Sequence, residues 1–78
     1  MKATVYVRLK QEVLDPQGEA VRRALAGMGI PGVGSVRVGK LIEIDLGDVD
    51  EATARARLAK AADELLANPV IEDYEVVV

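Results

Sequence analysis

The chain has no cysteine and no histidine among its 78 residues. Without cysteine it can form no disulfide framework, no zinc–thiolate site and no thiol nucleophile. Without histidine it lacks the commonest general base and the commonest imidazole metal ligand. Self-contained hydrolase and metalloenzyme chemistry is therefore largely excluded. Phe and Trp are also missing, and Tyr6 and Tyr74 are the only aromatic residues. Stacking platforms for single-stranded nucleic acid need more than that. Nor is there a cationic excess: 10 Lys and Arg face 13 Asp and Glu, for a net charge of −3 and an isoelectric point near 4.8. Attraction to phosphate backbones requires a basic face, so neither composition nor charge suits a nucleic-acid binder. No apolar run approaches the ~20 residues of a membrane span. Met1 to Lys10 alternates apolar and polar residues, which is not the pattern of a signal peptide.

What remains is an ordinary soluble composition, half hydrophobic and 29% charged. It has room for one small domain over residues 1–78. A domain of this size buries only ~60% of the surface its unfolded chain exposes. Its core must be made from Val, Leu, Ile, Ala and Met. Chains this short commonly need a disulfide, a metal or a partner copy. With disulfides and cysteine-based metal sites out of reach, a homo-oligomer or a subunit of something larger is expected.

Ala3, Val5, Val7 and Leu9 alternate with Thr4, Tyr6, Arg8 and Lys10, the period of a half-buried strand. Asp15-Pro16 opens a helix, with Asp15 capping free N–H groups and Pro16 in the first turn. Val21, Ala24, Leu25 and Met28 form its apolar stripe, and Gly29 is placed to stop it in the left-handed conformation. Ser35 to Val38 alternates again, and Leu41 to Leu46 resumes with Ile42, Ile44 and Leu46 on one face and Glu43 and Asp45 on the other. A hairpin turning at Gly39 is the preferred reading, over one long strand bent there. Asp50 caps a second helix whose stripe is Ala54, Leu58, Ala61, Ala62 and Leu65, and Asn68-Pro69 stops it. Val70 to Val78 is the last strand. Its end, Val76-Val77-Val78, is apolar on both faces, as in a strand between two layers, and this points to a partner chain. The order β-α-β-β-α-β is the ferredoxin-like split pattern of α+β proteins, an antiparallel sheet with two helices on one face. The open face would carry Tyr6, Arg8, Arg37, Glu43 and Asp45.

Candidate chemistry is thin. Gly27-Met28-Gly29-Ile30-Pro31-Gly32 matches the dinucleotide fingerprint in letters only. The fingerprint follows a strand and opens a helix, whereas these glycines follow a helix and contain Pro31. Glu43 and Asp45 share a strand face but have no third acidic neighbour for a cation, and a solvated face paired to Arg8 or Arg37 accounts for them. Arg37 and Lys40 flank Gly39, where a small anion or an acidic protein surface could dock; the second is the stronger reading. Ser35 is the single serine, and without histidine there is no triad for it to join.

Three collinear stretches carry a resemblance. Val5-Tyr6-Val7-Arg8-Leu9-Lys10 with Val13-Leu14-Asp15-Pro16-Gln17-Gly18 resembles the N-terminal signature of the PurS family. Val36-Arg37-Val38-Gly39-Lys40-Leu41-Ile42-Glu43-Ile44 resembles its middle signature, and Leu65 to Glu75 its C-terminal one. The likeness covers essentially the whole chain, departing only at the glycine-rich loop Ile30 to Gly34.

The resemblance implies the small subunit of phosphoribosylformylglycinamidine synthase, an ATP- and glutamine-dependent carbon–nitrogen ligase of purine biosynthesis. In that family a large subunit performs the ligation with ATP and Mg, and a glutaminase subunit releases ammonia. The small subunit is non-catalytic, self-associates as a dimer or tetramer, holds the other two together in the cytoplasm and supports ammonia transfer. No catalytic, cofactor or metal residue is therefore expected in this chain, and neither nucleic acid nor membrane as a partner. Arg37, Gly39, Lys40, Val76 and Val77 are the candidate subunit contacts. The alternative is a small-ligand-binding regulatory module, since amino-acid-sensing domains share the element order. A stand-alone acylphosphatase-like enzyme is disfavoured because Gln11-Glu12-Val13 replaces the anion-cradling loop such an enzyme needs after its first strand.

Overall fold

The computed structural model describes all residues 1–78. Strand β1 (Lys2–Leu9) is followed by helix α1 (Pro16–Gly27), strand β2 (Gly39–Asp45), helix α2 (Glu51–Ala61) with a π-helical continuation (Ala62–Leu66), and strand β3 (Glu72–Val77). The sheet is antiparallel in the order β2-β1-β3. Val5 stands opposite Ile42 on one side and Val76 on the other. Those residues share a face with Ala3, Val7 and Ile44, so the alternation in the sequence becomes one apolar surface. Val5 and Val7 are fully buried there. Ala62 and Ala67 pack onto them, with Ile42, Ile44, Leu66 and Val76 around the cluster. Ala54 and Leu58 are the buried residues of α2. Alanines at 54, 62 and 67 let the helix backbone approach the sheet closely, which suits a core with no large side chains.

The helix ends follow the sequence signals. The Asp15 side chain accepts from the Gly18 N–H, and that of Asp50 accepts from the Thr53 N–H. At the far end of α1, Gly29 takes φ +78°. The Ile30 N–H bonds the Leu25 carbonyl and the Gly29 N–H bonds the Ala26 carbonyl, the paired bonds of a Schellman stop.

The α+β class and the antiparallel sheet are as expected, but three details differ. First, Ser35–Val38 is not a strand and there is no hairpin at Gly39; β2 starts at Gly39. The backbone of 36–38 is engaged elsewhere. The Val38 N–H donates to Asp15 Oδ2 at 2.7 Å, and the Val36 carbonyl lies against Gly18. Second, Leu65 points outward and is 80% exposed. Ala67 N–H bonds the Ala62 carbonyl, a five-residue step that adds one residue to the turn. The extra residue rotates Leu66 and Ala67 inward and Leu65 out. Third, only α2 covers the sheet. α1 forms no extended packing with any other element, and Gly18 is its only buried residue. The molecule is correspondingly long, 47 × 25 × 15 Å, with a radius of gyration of 15.8 Å. A compact chain of this length would have ~11.5 Å. α1 is an arm.

The rotated turn makes a measurable contrast. Leu66→Ala removes a residue packed on the core and is expected to cost about 2 kcal/mol in urea unfolding. Leu65→Ala is expected to stay within about 0.5 kcal/mol. Equal costs would contradict the π-helical register.

Candidate subunit interface

The base of α1 is built from Asp15 and Gly18. Each Asp15 carboxylate oxygen accepts one backbone N–H: Oδ1 from Gly18 at 2.9 Å and Oδ2 from Val38 at 2.7 Å. These bonds, with the nearby Arg37 guanidinium, hold its carboxyl below the usual carboxylate range. A β-carbon on Gly18 would lie 2.0 Å from the Val36 carbonyl oxygen, so only glycine allows the 36–38 strap to cross the first turn. One turn further on, Glu19 is gripped by Arg22 through Nε at 2.9 Å and Nη2 at 2.5 Å, with Arg23 Nε at 3.3 Å. The Arg22 hydrogen bond is the main reason its carboxyl is lowered to about 2. The polar side of the arm thus satisfies itself. Its apolar side does not: Val21 is 40% exposed and Met28 74%, with Leu14 and Ile30 also exposed next to the helix.

The sheet end beside the arm's base holds three of the candidate contacts. Arg37 Nη2 donates to the Lys10 carbonyl at 2.9 Å and has no carboxylate partner. Gly39 stands opposite Arg8, where a β-carbon would be 2.7 Å from the Val7 carbonyl. Its missing side chain leaves a depression of about 190 Å³ on the open face, lined by Tyr6, Arg8, Arg37 and Leu41 among others. Arg8 sits 5.5 Å from the Tyr6 ring centre and 3.7 Å from Glu75, a loose and exposed pair of small energetic weight. Lys40 belongs to the other face, with Nζ 3.5 Å from the Leu66 carbonyl and 3.9 Å from Glu72.

Val76 and Val77 lie near the opposite end of the sheet, at the Val5 and Thr4 positions of β1. Val76 is partly buried against the core, and its carbonyl receives Arg55 Nη1 at 3.4 Å. Val77 is 43% exposed on the open face. The structure thus gathers Arg37, Gly39 and Lys40 at one end, and places Val76 and Val77 three and four strand residues from the Gly39 position, roughly 10–14 Å. Arg8, not Arg37, is the cation on the open face with a carboxylate close by, and its partner is Glu75 rather than Glu43 or Asp45. Glu43 stands across from Thr4 and Asp45 from Lys2.

The sequence reading missed the arm. It placed both helices on one face of the sheet, because an amphipathic stripe such as Val21, Ala24, Leu25 and Met28 announces burial without naming what buries it. One signal was available: a glycine at position 18 in the first turn costs roughly 0.5–1 kcal/mol relative to alanine and marks a backbone that must be approached closely.

Comparisons with known proteins agree over nearly the whole length. The family model PurS, phosphoribosylformylglycinamidine (FGAM) synthase, matches residues 2–78. A Synechocystis protein named phosphoribosylformylglycinamidine synthase subunit PurS is 51% identical over 70 residues, spanning 90% of this chain and 70% of its own. The crystal structure of Methanocaldococcus jannaschii PurS, one of the subunits of formylglycinamide ribonucleotide amidotransferase, superposes with a TM-score of 0.87 at 39% identity. It covers 97% of this chain and 92% of its own. A chain of the PurLQS structure from Thermotoga maritima does so with a TM-score of 0.87 at 36% identity, over 97% and 93%.

Two glycines of α1 separate close approach from simple helix weakening. Gly18→Ala is expected to destabilise the protein by about 1–3 kcal/mol in thermal unfolding. Gly27→Ala, which meets nothing within 4 Å, is expected to stabilise it by about 0.4–1 kcal/mol. A neutral Gly18→Ala would remove the strap contact from the account. The carboxyls of Asp15 and Asp50 are both lowered from 3.8, so their contribution to stability is present above that value and is lost as pH falls through the folded-state values. Asp15→Ala is therefore expected to cost stability at pH 7 and progressively less below pH 3.8. A cost unchanged by acid would contradict a role for the ionised carboxylate.

Proposed function

The chain belongs to the PurS family, the small subunit of phosphoribosylformylglycinamidine synthase in purine biosynthesis. From that premise we propose that it acts as a non-catalytic assembly subunit, associating with itself and holding the ATP-dependent ligase subunit together with the glutaminase subunit. The observation that carries this reading is α1, whose apolar side chains are left uncovered by its own chain. A small domain gains little by exposing such a stripe unless another surface covers it.

The chemistry is divided accordingly. Release of ammonia from glutamine by an activated thiol falls to a subunit with a cysteine, and this chain has none. ATP and Mg are used by the large subunit, and this chain supplies no cofactor ligand. Its contribution is positional. Ammonia released into solvent is diluted and protonated; ammonia released beside the ligase site is present at a high effective concentration. Binding energy between subunits is spent on keeping the two sites in that arrangement.

Within this scheme α1 and the exposed apolar residues of the sheet meet a further copy, as a dimer or tetramer. Arg37 and Lys40 meet an acidic surface of a larger subunit. Gly39 keeps the depression beside Arg37 open, and Val76 sets Val77 at the opposite end of the interface. The complex works in the cytoplasm. No helix of the chain is long and apolar enough to cross a membrane. PurS stands alongside PurL and PurQ in the Thermotoga maritima structure, which supports the same partnership here.

Reconstitution tests the proposal. The isolated chain is expected to show no turnover, and adding it to the ligase and glutaminase subunits is expected to restore glutamine-dependent synthase activity. Full glutamine-dependent activity from those two subunits without it would refute the assembly role. Arg37→Glu is expected to weaken binding to the larger subunits at a temperature where circular dichroism shows the chain folded; unchanged assembly would remove Arg37 from the interface.

A further inference from the structure

We propose that Asp15 is a positioning residue for self-association: its carboxylate ties the start of α1 to the Val38 backbone and so fixes the arm in the direction from which it meets a second copy of the chain. This rests on the self-association proposed above and says which group enforces it.

The molecule contains its own comparison. Asp50 and Asp15 are both N-caps, and both accept the N–H three residues on. Capping uses one oxygen. At Asp50 no protein group beyond its own helix turn is hydrogen-bonded to the carboxylate. At Asp15 the second oxygen reaches across 23 residues to Val38. A cap stabilises a helix; a bridge also fixes where the helix points. The bridge is anchored at both ends. Gly18 lies so close to the Val36 carbonyl that the first turn cannot shift along the strap. Gly39, next to Val38, pairs with Arg8 and lies so close to the Val7 carbonyl that no side chain fits between them. Rigid contacts therefore run from β1 through Gly39 and Val38 to Asp15 and into α1.

Without the bridge, no hydrogen bond ties α1 to the segment before β2, and besides the Gly18–Val36 contact it is joined to the sheet only by two connections, Lys10–Leu14 and the glycine-containing Met28–Val38. Both are long enough to let it swing, and the nearest apolar surface would be its own sheet. With the bridge, that closure is blocked. The stripe on the arm and the exposed Leu41 and Val77 of the open face belong to one chain but do not meet within this copy, where α1 forms no extended packing with the sheet. Two copies can satisfy both surfaces reciprocally, in the isologous manner of a two-fold dimer. A second copy is therefore the occupant this geometry selects.

Asparagine separates the two roles. Asp15→Asn keeps an oxygen for the Gly18 N–H and remains a good N-cap, but presents an amide donor to the Val38 N–H. Asp15→Ser keeps the cap and offers no second acceptor. Sedimentation equilibrium of the full chain measures the self-dissociation constant, and far-ultraviolet circular dichroism measures helix content. Both variants are expected to keep wild-type helix content and to raise the dissociation constant by about tenfold or more, the scale of one charged hydrogen bond. Asp50→Asn is expected to leave the constant within about twofold, since it alters a cap alone. Asp15 variants that associate as tightly as wild type would overturn the positioning role while leaving self-association intact. A wild-type chain that stays monomeric at every concentration would instead overturn the self-association on which the role rests.

Discussion

The structure turns on one carboxylate shared between two backbone N–H groups. Asp15 ends the connection after β1, starts α1 and holds the segment that leads into β2. Its two hydrogen bonds decide three things together. They give α1 a defined first residue, take Val38 out of sheet pairing so that β2 begins at Gly39, and set the arm away from the sheet. Gly18 and Gly39 make this possible by having no side chain where two backbones nearly touch. Charged hydrogen bonds to backbone donors are among the stronger polar interactions a small protein can make at its surface. Here one is used to impose geometry.

The consequence is a domain that does not finish its own core. Val5 and Val7 are sealed by α2 and its π-helical continuation, yet a whole helix contributes almost nothing to that core. An 8.3 kDa chain with no Phe, Trp or Cys has little stability to spare. The uncovered helix is comprehensible in a protein whose stable form includes other chains. The proposed synthase role follows the same logic: cysteine and histidine are missing, and exposed apolar or charged side chains stand at the arm, at the Arg37–Lys40 end and at Val77.

Much of the fold was legible in the residues because the relevant signals are local. Asp15-Pro16 and Asp50 mark helix starts through groups two or three residues away, Gly29 marks a stop through its own φ, and the alternation in β1 assigns faces through a period of two. Asn68-Pro69 ends the second helix as read, with Asn68 turning the chain by accepting the Val70 N–H. The failures share a cause. The strand expected at Ser35–Val38 has the right alternation, but its fate depends on a side chain 23 residues earlier. The inward placement of Leu65 assumed a regular helix, and one inserted residue in the turn leaves no trace in the pattern. The placement of the first helix against the sheet was read from the stripe Val21, Ala24, Leu25 and Met28, and amphipathicity is silent about whether the covering surface lies in the same chain. Gly39 was read as a hairpin turn and instead begins β2 with its backbone against the Val7 carbonyl, while Arg8, which lines the depression beside it, came next to it only once β1 and β2 were paired.

Hydrogen–deuterium exchange of α1 measured above and below the association midpoint tests the central claim most directly. The account predicts that amides near Val21, Leu25 and Met28 are strongly protected when chains are assembled and exchange quickly on dilution, while Val5 and Val7 in β1 remain protected in both. Equal protection of α1 at both concentrations would mean that the helix is stabilised within a single chain, and would contradict the account.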